Sequence, residues 1–286
     1  GDIAMTPLAT RVATAAVLVP CVLAALFLLP PVLWAVATLV VVLIAAHEWA
    51  RLASFGRAGW LLLVGGLAAS GAILLAVSGA GLDRGWPSEV LLAACGLATL
   101  FWLAVAPPWV VRRWPTRSPV ALTLAGWVVL SGAWVALVEL QARSPWLVLA
   151  AMAIVWIADT AAYFAGRAFG RRKLAPLVSP GKTWEGVFGG LVAVAIYAAA
   201  LVPFAQAAGY DGPVAPLAIA VWIAFALSLA SLSVIGDLYE SWLKRVAGVK
   251  DSGTLLPGHG GVLDRIDALV AAMPPAALAA HWFLRS

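Results

Sequence analysis

The chain is dominated by long stretches that contain no Asp, Glu, Lys or Arg. They cover residues 12–46, 58–82, 90–111, 118–138, 144–158, 186–210, 212–236 and 268–284. A helix needs about 20 apolar residues to cross the hydrocarbon core of a bilayer, and most of these stretches supply them. Charged residues make up only 11% of the chain, whereas a soluble domain has about 25%. The sequence therefore excludes a water-soluble globule and predicts an integral membrane protein.

The number of crossings follows from two of these stretches. Residues 12–46 are too long for one helix and contain Pro30 and Pro31 near the middle, where a helix would break. Residues 144–158 continue through Asp159 to about Ala165. We therefore predict an all-α, polytopic membrane fold with about nine transmembrane helices. It forms one integral membrane domain over residues 1–286, with mostly hydrophobic scaffold helices in 1–145 and the polar residues of a candidate site in 146–286.

Basic residues indicate which loops face the cytoplasm. If the N-terminus is inside, nine alternating crossings place 15 of the 18 Lys and Arg residues in inner segments and leave Arg84, Arg143 and Arg285 outside. We therefore predict a cytoplasmic N-terminus and a C-terminus on the outer side. The same distribution explains the net charge of +5, so no nucleic-acid partner is expected.

All four lysines, Lys173, Lys182, Lys244 and Lys250, lie in the last two inner loops, 166–185 and 237–267. Arginine is the usual cation elsewhere in the chain and would satisfy the topology equally well. A compact, flexible ammonium suits close contact with a phosphate. The lysine distribution therefore indicates a phosphate-binding site on the inner side.

The segment 179–186 first suggests a phosphate loop. A Walker A motif requires a glycine at the position of Pro176, so that interpretation fails. Two others stay open. Ser179 or Thr183 caps a membrane helix that carries Glu185 in its first turn, or the start of this helix forms an anion site together with Lys182.

Two acidic residues stand at helix positions where a charge is unusual. Asp159 shares a helix face with Tyr163 and Gly166, and an ionisable group within a crossing usually faces a polar cavity or a partner. A salt bridge to a nearby arginine is the alternative. Glu48, beside His47 at the end of the second helix, is interpreted as an interfacial anchor.

The strongest cluster of polar residues lies near the C-terminus. Asp237, Glu240, Ser241 and Lys244 form one stripe of a helix. A loop and the start of the last crossing then supply further polar groups, namely Lys250, Asp251, His259, Asp264, Arg265 and Asp267. Asp264 and Asp267 could simply compensate the helix dipole in the first turn of the last crossing. The combination favours a site for a phosphate-bearing substrate, with Mg²⁺ or Mn²⁺ held by hard oxygen ligands.

Three segments carry a resemblance to a known family, and two of them are Asp159-Thr-Ala-Ala-Tyr163-Phe-x-Gly166 and Ser179-Pro-Gly-Lys-Thr-Trp-Glu-Gly186. The third is a 27-residue stretch with the pattern Ser241-x-Leu-Lys-Arg245, Lys250-Asp251-x-Gly253, then Leu256-Pro257-x-His259-Gly-Gly261-Val-x-Asp264-Arg265-Ile-Asp267. This last pattern resembles the complete signature of the phosphatidate cytidylyltransferases (CDP-diacylglycerol synthases). The resemblance covers roughly the C-terminal half.

The resemblance implies transfer of the cytidylyl group of CTP to phosphatidic acid, giving CDP-diacylglycerol and pyrophosphate, within phospholipid biosynthesis. It places the reaction at the cytoplasmic face of a bacterial-type inner membrane and makes residues 146–286 the catalytic half. It further implies a divalent metal on Asp237 and Asp264, allows a second, monovalent cation such as K⁺, and suggests a homodimer surrounded by membrane lipids. Lys244 would contact phosphate as a third catalytic residue.

The remaining signature residues are expected to bind substrate. Lys182, Arg245, Lys250 and Arg265 would neutralise phosphates, and Ser179, Thr183 and His259 would donate hydrogen bonds to them. His259 could instead carry a proton or serve as a turn residue. The other residues expected in the substrate site are Asp159, Tyr163, Ser241 and Asp251.

Two other functions are compatible with parts of the pattern. A related membrane transferase could use a polyprenol or an ether lipid as acceptor. A transporter with a cytoplasmic carboxylate–lysine gate belongs to a different class. The scarcity of polar residues within the crossings and the lack of an internal repeat count against a transporter.

Overall fold

The computed structural model describes residues 7–112, 118–207 and 215–283. The helices are α1 (Pro7–Leu28), α2 (Pro31–Leu52), α3 (Arg57–Ser78), α4 (Ser88–Arg112), α5 (Pro119–Arg143), α6 (Pro145–Phe169), α7 (Trp184–Ala207), α8 (Pro216–Ala247), α9 (Leu263–Ile266) and α10 (Leu269–Phe283). The strands are β1 (Lys173–Ala175) and β2 (Ser179–Thr183). The all-α membrane class is confirmed.

Within the described part of the chain, seven helices are long and apolar enough to cross a membrane. The apolar helices 12–28 and α10 are shorter, so the total of nine crossings stays a prediction. The predicted break at Pro30 is confirmed, because α1 ends at Leu28 and α2 begins at Pro31. Both chain ends, 1–6 and 284–286, lie outside the described residues, and the side that each faces remains a prediction.

The strands β1 and β2 form a small antiparallel hairpin between α6 and α7, with Lys173 opposite Thr183 and Ala175 opposite Ser179. The sequence analysis does not anticipate this hairpin. The segment is rich in glycine, proline and serine, and the strands are only 3 and 5 residues long. The hairpin leads directly into α7, which begins at Trp184.

Small residues let α6 and α7 approach each other closely. A Cβ atom added at Gly186 would lie 2.8 Å from the carbonyl oxygen of Ala162, and one at Gly190 would lie 2.8 Å from that of Ala158. Without a hydrophobic driving force in lipid, helices associate through such close packing of small residues. This contact fixes the hairpin beside the cytoplasmic end predicted for α6.

Helix α8 is longer than a bilayer requires. Its 32 residues span about 48 Å at 1.5 Å per residue, whereas the hydrocarbon core is about 30 Å thick. The helix ends at Gly248, whose left-handed φ of 72° turns the chain away. The last turns of α8, which carry Asp237 to Lys244, can therefore extend beyond the lipid core.

A polar cluster lies where α5 and α10 end, at the end of the bundle opposite to the last turns of α8. Buried Glu139 accepts a hydrogen bond from Arg143 Nε at 2.8 Å and one from the backbone N–H of Trp86 at 2.8 Å. Arg143 also lies 3.0 Å from Nδ1 of His281. This cluster ties the loop before α4 to the ends of α5 and α10, which is the arrangement expected of helices that alternate in direction.

We predict that Gly236→Ala destabilises the bundle, because an added Cβ would collide with the carbonyl oxygen of Asp267 and lie 2.9 Å from Cβ of Ala271. Crowding of this kind costs about 1–3 kcal/mol. Gly96→Ala is the control, since nothing lies within 4 Å of its added Cβ. Thermal unfolding in detergent should show a lower midpoint for the Gly236 variant alone, and equal midpoints would contradict the packing described.

Candidate active site

Asp264 is the acceptor around which the C-terminal loop is arranged. Its Oδ2 atom accepts hydrogen bonds from the backbone N–H and the hydroxyl of Ser252, both at 2.9 Å, and from the N–H of Gly261 at 2.8 Å. Burial raises the pKa of Asp264, but hydrogen bonds from Lys244 and from Gly261 outweigh this effect and lower it to about 2. The carboxylate is therefore ionised at any physiological pH.

Lys244 joins this loop to α8. Its Nζ lies 2.7 Å from Oδ1 of Asp264 and 2.5 Å from Oε2 of Glu240, one helical turn earlier. The side chains of Glu240 and Asp264 are each only 4% exposed. Two buried carboxyl groups at one place are stabilised by a cation or by a shared proton, and Lys244 supplies a cation that joins α8 to the loop.

Asp237 joins α8 to the hairpin. Its Oδ2 lies 2.5 Å from Nζ of Lys182 in β2, and its Oδ1 accepts a hydrogen bond from Ser241 at 3.2 Å. A second connection runs from Nε of Arg245 to the carbonyl oxygen of Val178 at 3.1 Å. The structure thus brings the two lysine-containing loops together on one end of α8.

Carboxylates outnumber ammonium groups in this region. Asp159 in α6 lies within electrostatic range of Asp237 and Lys182. Burial raises the pKa of Asp267 well above its ordinary value, and the negative charge of Asp237 adds to the rise. Such crowding of like charges favours binding of an additional cation.

The donor set fits a hard divalent metal. Each oxygen of Asp237 accepts from a single group, and Oδ1 of Asp264 accepts from Lys244, so lone pairs remain for coordination. Oε1 of Glu240 is buried and has no hydrogen-bond partner among the described residues. Residues 7–112, 118–207 and 215–283 contain no ready-made group of three or more metal-ligating side chains. Mg²⁺ suits such a site, because it typically takes one or two carboxylates and completes its shell with water and substrate phosphates.

The other predicted site residues in the hairpin and α6 mainly make contacts that stabilise the fold. Thr183 is buried, and its Oγ1 accepts a hydrogen bond from the N–H of Gly186 at 3.1 Å, which caps α7. Ser179 begins β2. The hydroxyl of Tyr163 accepts from Arg167 at 3.2 Å. Their contact with substrate stays a prediction.

The loop residues predicted to bind substrate are accessible. Lys250, Asp251 and Arg265 are exposed, and His259 is half-buried, with its Nδ1 3.4 Å from the carbonyl oxygen of Pro257. Exposed basic side chains near an acidic cluster can turn toward an incoming polyanion. The contact of each of these residues with substrate stays a prediction.

The interpretation of Glu48 as an interfacial anchor is wrong. Glu48 is 3% exposed and accepts hydrogen bonds from the C-terminal loop, including one from Ser252 Oγ at 3.0 Å. Ser252 itself is missed by the sequence analysis. The sequence did carry a signal for this contact, because a carboxylate at the end of an apolar helix requires a partner.

The chain matches the family model described as "Cytidylyltransferase family" over residues 9–283. This match includes all the site residues described above. The chain belongs to the cytidylyltransferase family. Family membership confirms the resemblance found in the sequence and extends it across the hydrophobic first half.

Curated relatives of this chain agree with the family match. It is 41% identical over 275 residues to the phosphatidate cytidylyltransferase of Pseudomonas aeruginosa, covering 92% of this chain and 93% of the relative. It is 37% identical over 279 residues to that of Haemophilus influenzae, covering 92% and 95%. It is 41% identical over 237 residues to that of Brucella suis, covering 79% and 76%.

We predict that Lys244→Met lowers stability by about 3–5 kcal/mol, because it leaves Glu240 and Asp264 in contact without their shared cation. Adding Glu240→Gln should restore part of the thermal midpoint, because its amide can donate a hydrogen bond to Asp264 and carries no charge. The double variant should stay inactive, because the ammonium is still missing. A double variant no more stable than Lys244→Met would contradict the role given to this ion pair.

Proposed function

We propose that this chain transfers the cytidylyl group of CTP to phosphatidic acid, producing CDP-diacylglycerol and pyrophosphate. The observation that carries the proposal is the joining of Lys182, Asp237, Lys244 and Asp264 at one end of α8. Family membership and the names of the relatives support the choice of reaction. The helical, apolar body supports a substrate that is itself a membrane lipid.

The reaction needs charge neutralisation more than it needs a base. An oxygen of the lipid phosphate attacks the α-phosphorus of CTP and forms a new P–O bond, while the bond from that phosphorus to the bridging oxygen of the β-phosphate breaks. The electron pair leaves with pyrophosphate. A phosphomonoester has a second pKa of about 6, so the nucleophile is largely ionised at neutral pH. The main barrier is the approach of two polyanions.

The side chains of the site suit this task. Lys182 and Lys244 hold their ammonium groups against carboxylates, and each can transfer a hydrogen bond to an incoming phosphate oxygen. Asp237 and Asp264 would hold Mg²⁺, which supplies Lewis-acid stabilisation of the α-phosphate and the leaving pyrophosphate when bound. Arg245, Lys250 and Arg265 would neutralise the outer phosphates, and His259 would donate a hydrogen bond.

The location of the site suggests how the lipid enters. The acyl chains would stay among the helices while the head group moves sideways to the end of α8, where Asp159 and Asp237 lie in electrostatic range. The excess of basic residues in the loops on this side supports a cytoplasmic active site in a bacterial inner membrane. A homodimer and a K⁺ ion beside Mg²⁺ remain predictions from the resemblance alone.

The proposal is tested with purified protein in detergent micelles, CTP labelled on the α-phosphate, and phosphatidic acid. We expect labelled lipid with Mg²⁺, none with EDTA, and no competition from ATP, GTP or UTP. A polyprenol or an ether lipid replaces phosphatidic acid in parallel reactions. Label on one of those acceptors alone would replace the proposed acceptor. No label on any acceptor, together with solute transport by the protein reconstituted in lipid vesicles, would favour the gate hypothesis.

We predict that Asp264→Asn reduces turnover by at least about 10²–10³-fold, the usual cost of removing a group that stabilises charge in the transition state. The amide oxygen can still accept from Ser252 and Gly261, while the NH₂ group replaces the oxygen that accepts from Lys244, so the loop should keep its course at a lower thermal midpoint. Circular dichroism and the thermal midpoint check the fold. Near-normal turnover in a folded variant would refute the role of Asp264.

A further inference from the structure

Glu48 connects the first half of the chain to the catalytic loop. It lies in the last turns of α2, yet it accepts hydrogen bonds from the N–H of Leu263 at 2.7 Å and from the N–H of Val262 at 3.0 Å. These N–H groups belong to the residues around the start of the short helix α9, which carries Asp264. The carboxylate of Glu48 thus completes the start of this helix from another part of the fold.

Two glycines of the loop leave room for this carboxylate. A Cβ added at Gly253 would lie 2.5 Å from Oε1 of Glu48, and one at Gly261 would collide with Oε2 of Glu48 and Oγ of Ser252. The loop is therefore wrapped around the Glu48 side chain. This fit favours a specific structural partner over an anchor at the membrane surface.

Ser252 extends the connection to the site itself. Its buried hydroxyl lies 3.0 Å from Oε2 of Glu48 and 2.9 Å from Oδ2 of Asp264. A hydroxyl has one proton, so it donates to one carboxylate at a time or is shared between them. The chain of contacts continues from Asp264 to Lys244 at 2.7 Å, and any movement of Glu48 reaches the proposed phosphate-binding ammonium through two side chains.

We propose that Glu48 is a positioning residue for nucleotidyl transfer, which holds Asp264 and Lys244 in place through Ser252 and the N–H groups of Val262 and Leu263. The inference rests on the proposed function, since it assigns Asp264 and Lys244 to the reaction. Residues that orient the groups holding a metal or substrate typically contribute 10–100-fold to activity or affinity.

The substitution Glu48→Gln tests the carboxylate without changing the side chain's size. Both oxygens of Glu48 accept from N–H groups, Oε1 from Val262 and Oε2 from Leu263. Whichever way the glutamine amide is turned, its NH₂ group faces a backbone N–H, so one hydrogen bond is replaced by a contact between two donors. A role limited to filling space would leave this variant unaffected.

Glu139→Gln is a matched control. Glu139 is also buried, and each of its oxygens accepts from an N–H group, of Arg143 or of Trp86. The glutamine there meets the same conflict between donors. Glu139 lies in the polar cluster where α5 and α10 end, away from Asp264. Glu139→Gln also loses the ion pair with Arg143, so it is at least as disruptive a change as Glu48→Gln, and it differs in its connection to the site.

The experiment measures kcat, the KM for phosphatidic acid and the thermal midpoint of the wild type and both variants. We expect Glu48→Gln to lower kcat by 10–100-fold with the KM for phosphatidic acid within about twofold, because Glu48 orients reacting groups and does not hold the lipid. Glu139→Gln should keep a wild-type kcat at a midpoint reduced at least as far. A folded Glu48→Gln variant with kcat within twofold of the wild type, or an equal fall in both variants, overturns the proposal.

Two further measurements keep the inference testable in all cases. If Glu48→Gln fails to fold, Ser252→Ala removes only the hydroxyl link and should lower kcat several-fold; unchanged kcat would overturn the proposal. Hydrogen–deuterium exchange of the segment 252–263 needs no substrate. It should accelerate in Glu48→Gln and not in Glu139→Gln, and unaltered exchange would show that Glu48 does not hold the loop. An inactive wild type with this exchange pattern would refute the proposed reaction and leave the loop contact standing.

Discussion

The ammonium of Lys244 is the contact on which the site depends. It lies between two carboxylates that are almost completely buried, at 2.5 Å from Glu240 and 2.7 Å from Asp264. In a poorly solvated environment, unpaired charges of like sign would drive α8 and the loop apart. This cation therefore helps to hold the loop against α8. The proposed function gives the same ammonium a second role, which is to contact a substrate phosphate.

The loop between α8 and α9 is held by carboxylates and has little regular structure of its own. Between the end of α8 at Ala247 and the start of α9 at Leu263, the structure shows turns and a single bridge between Leu256 and Gly260. Its backbone N–H groups donate to Glu48 and Asp264 instead. Hydrogen bonds to acidic side chains thus hold this loop in place of strand pairing. The basic residues of the loop stay exposed and can meet an incoming polyanion.

Much of the architecture could be predicted from the sequence. The charge-free stretches predict the long helices because a bilayer imposes a minimum length, and Pro30 predicts the end of α1. The spacing of Asp237, Ser241 and Lys244 places them on one face of α8, which the bond between Asp237 and Ser241 confirms. These features depend on local periodicity or on composition, and both can be counted along the chain.

The contacts between distant segments could not be predicted in this way. Glu48 and Ser252 are separated by 204 positions, and Lys182 pairs with Asp237 through a hairpin too short to leave a clear pattern. Such pairs form because a buried charge must find a partner somewhere, and the sequence does not state where. The demand for a partner was visible at Glu48, but its identity required the tertiary structure. The first half of the chain thus supplies the site with a residue as well as a scaffold.

The central claim is that the Lys182–Asp237 and Lys244–Asp264 pairs form the binding site for CTP and its metal. Equilibrium binding of a CTP analogue with a methylene bridge between the α- and β-phosphates tests it without turnover. The account predicts Mg²⁺-dependent binding to the wild type and to Glu139→Gln, and at least tenfold weaker binding to Asp264→Asn. Equal affinity in all three proteins, with or without Mg²⁺, would contradict it.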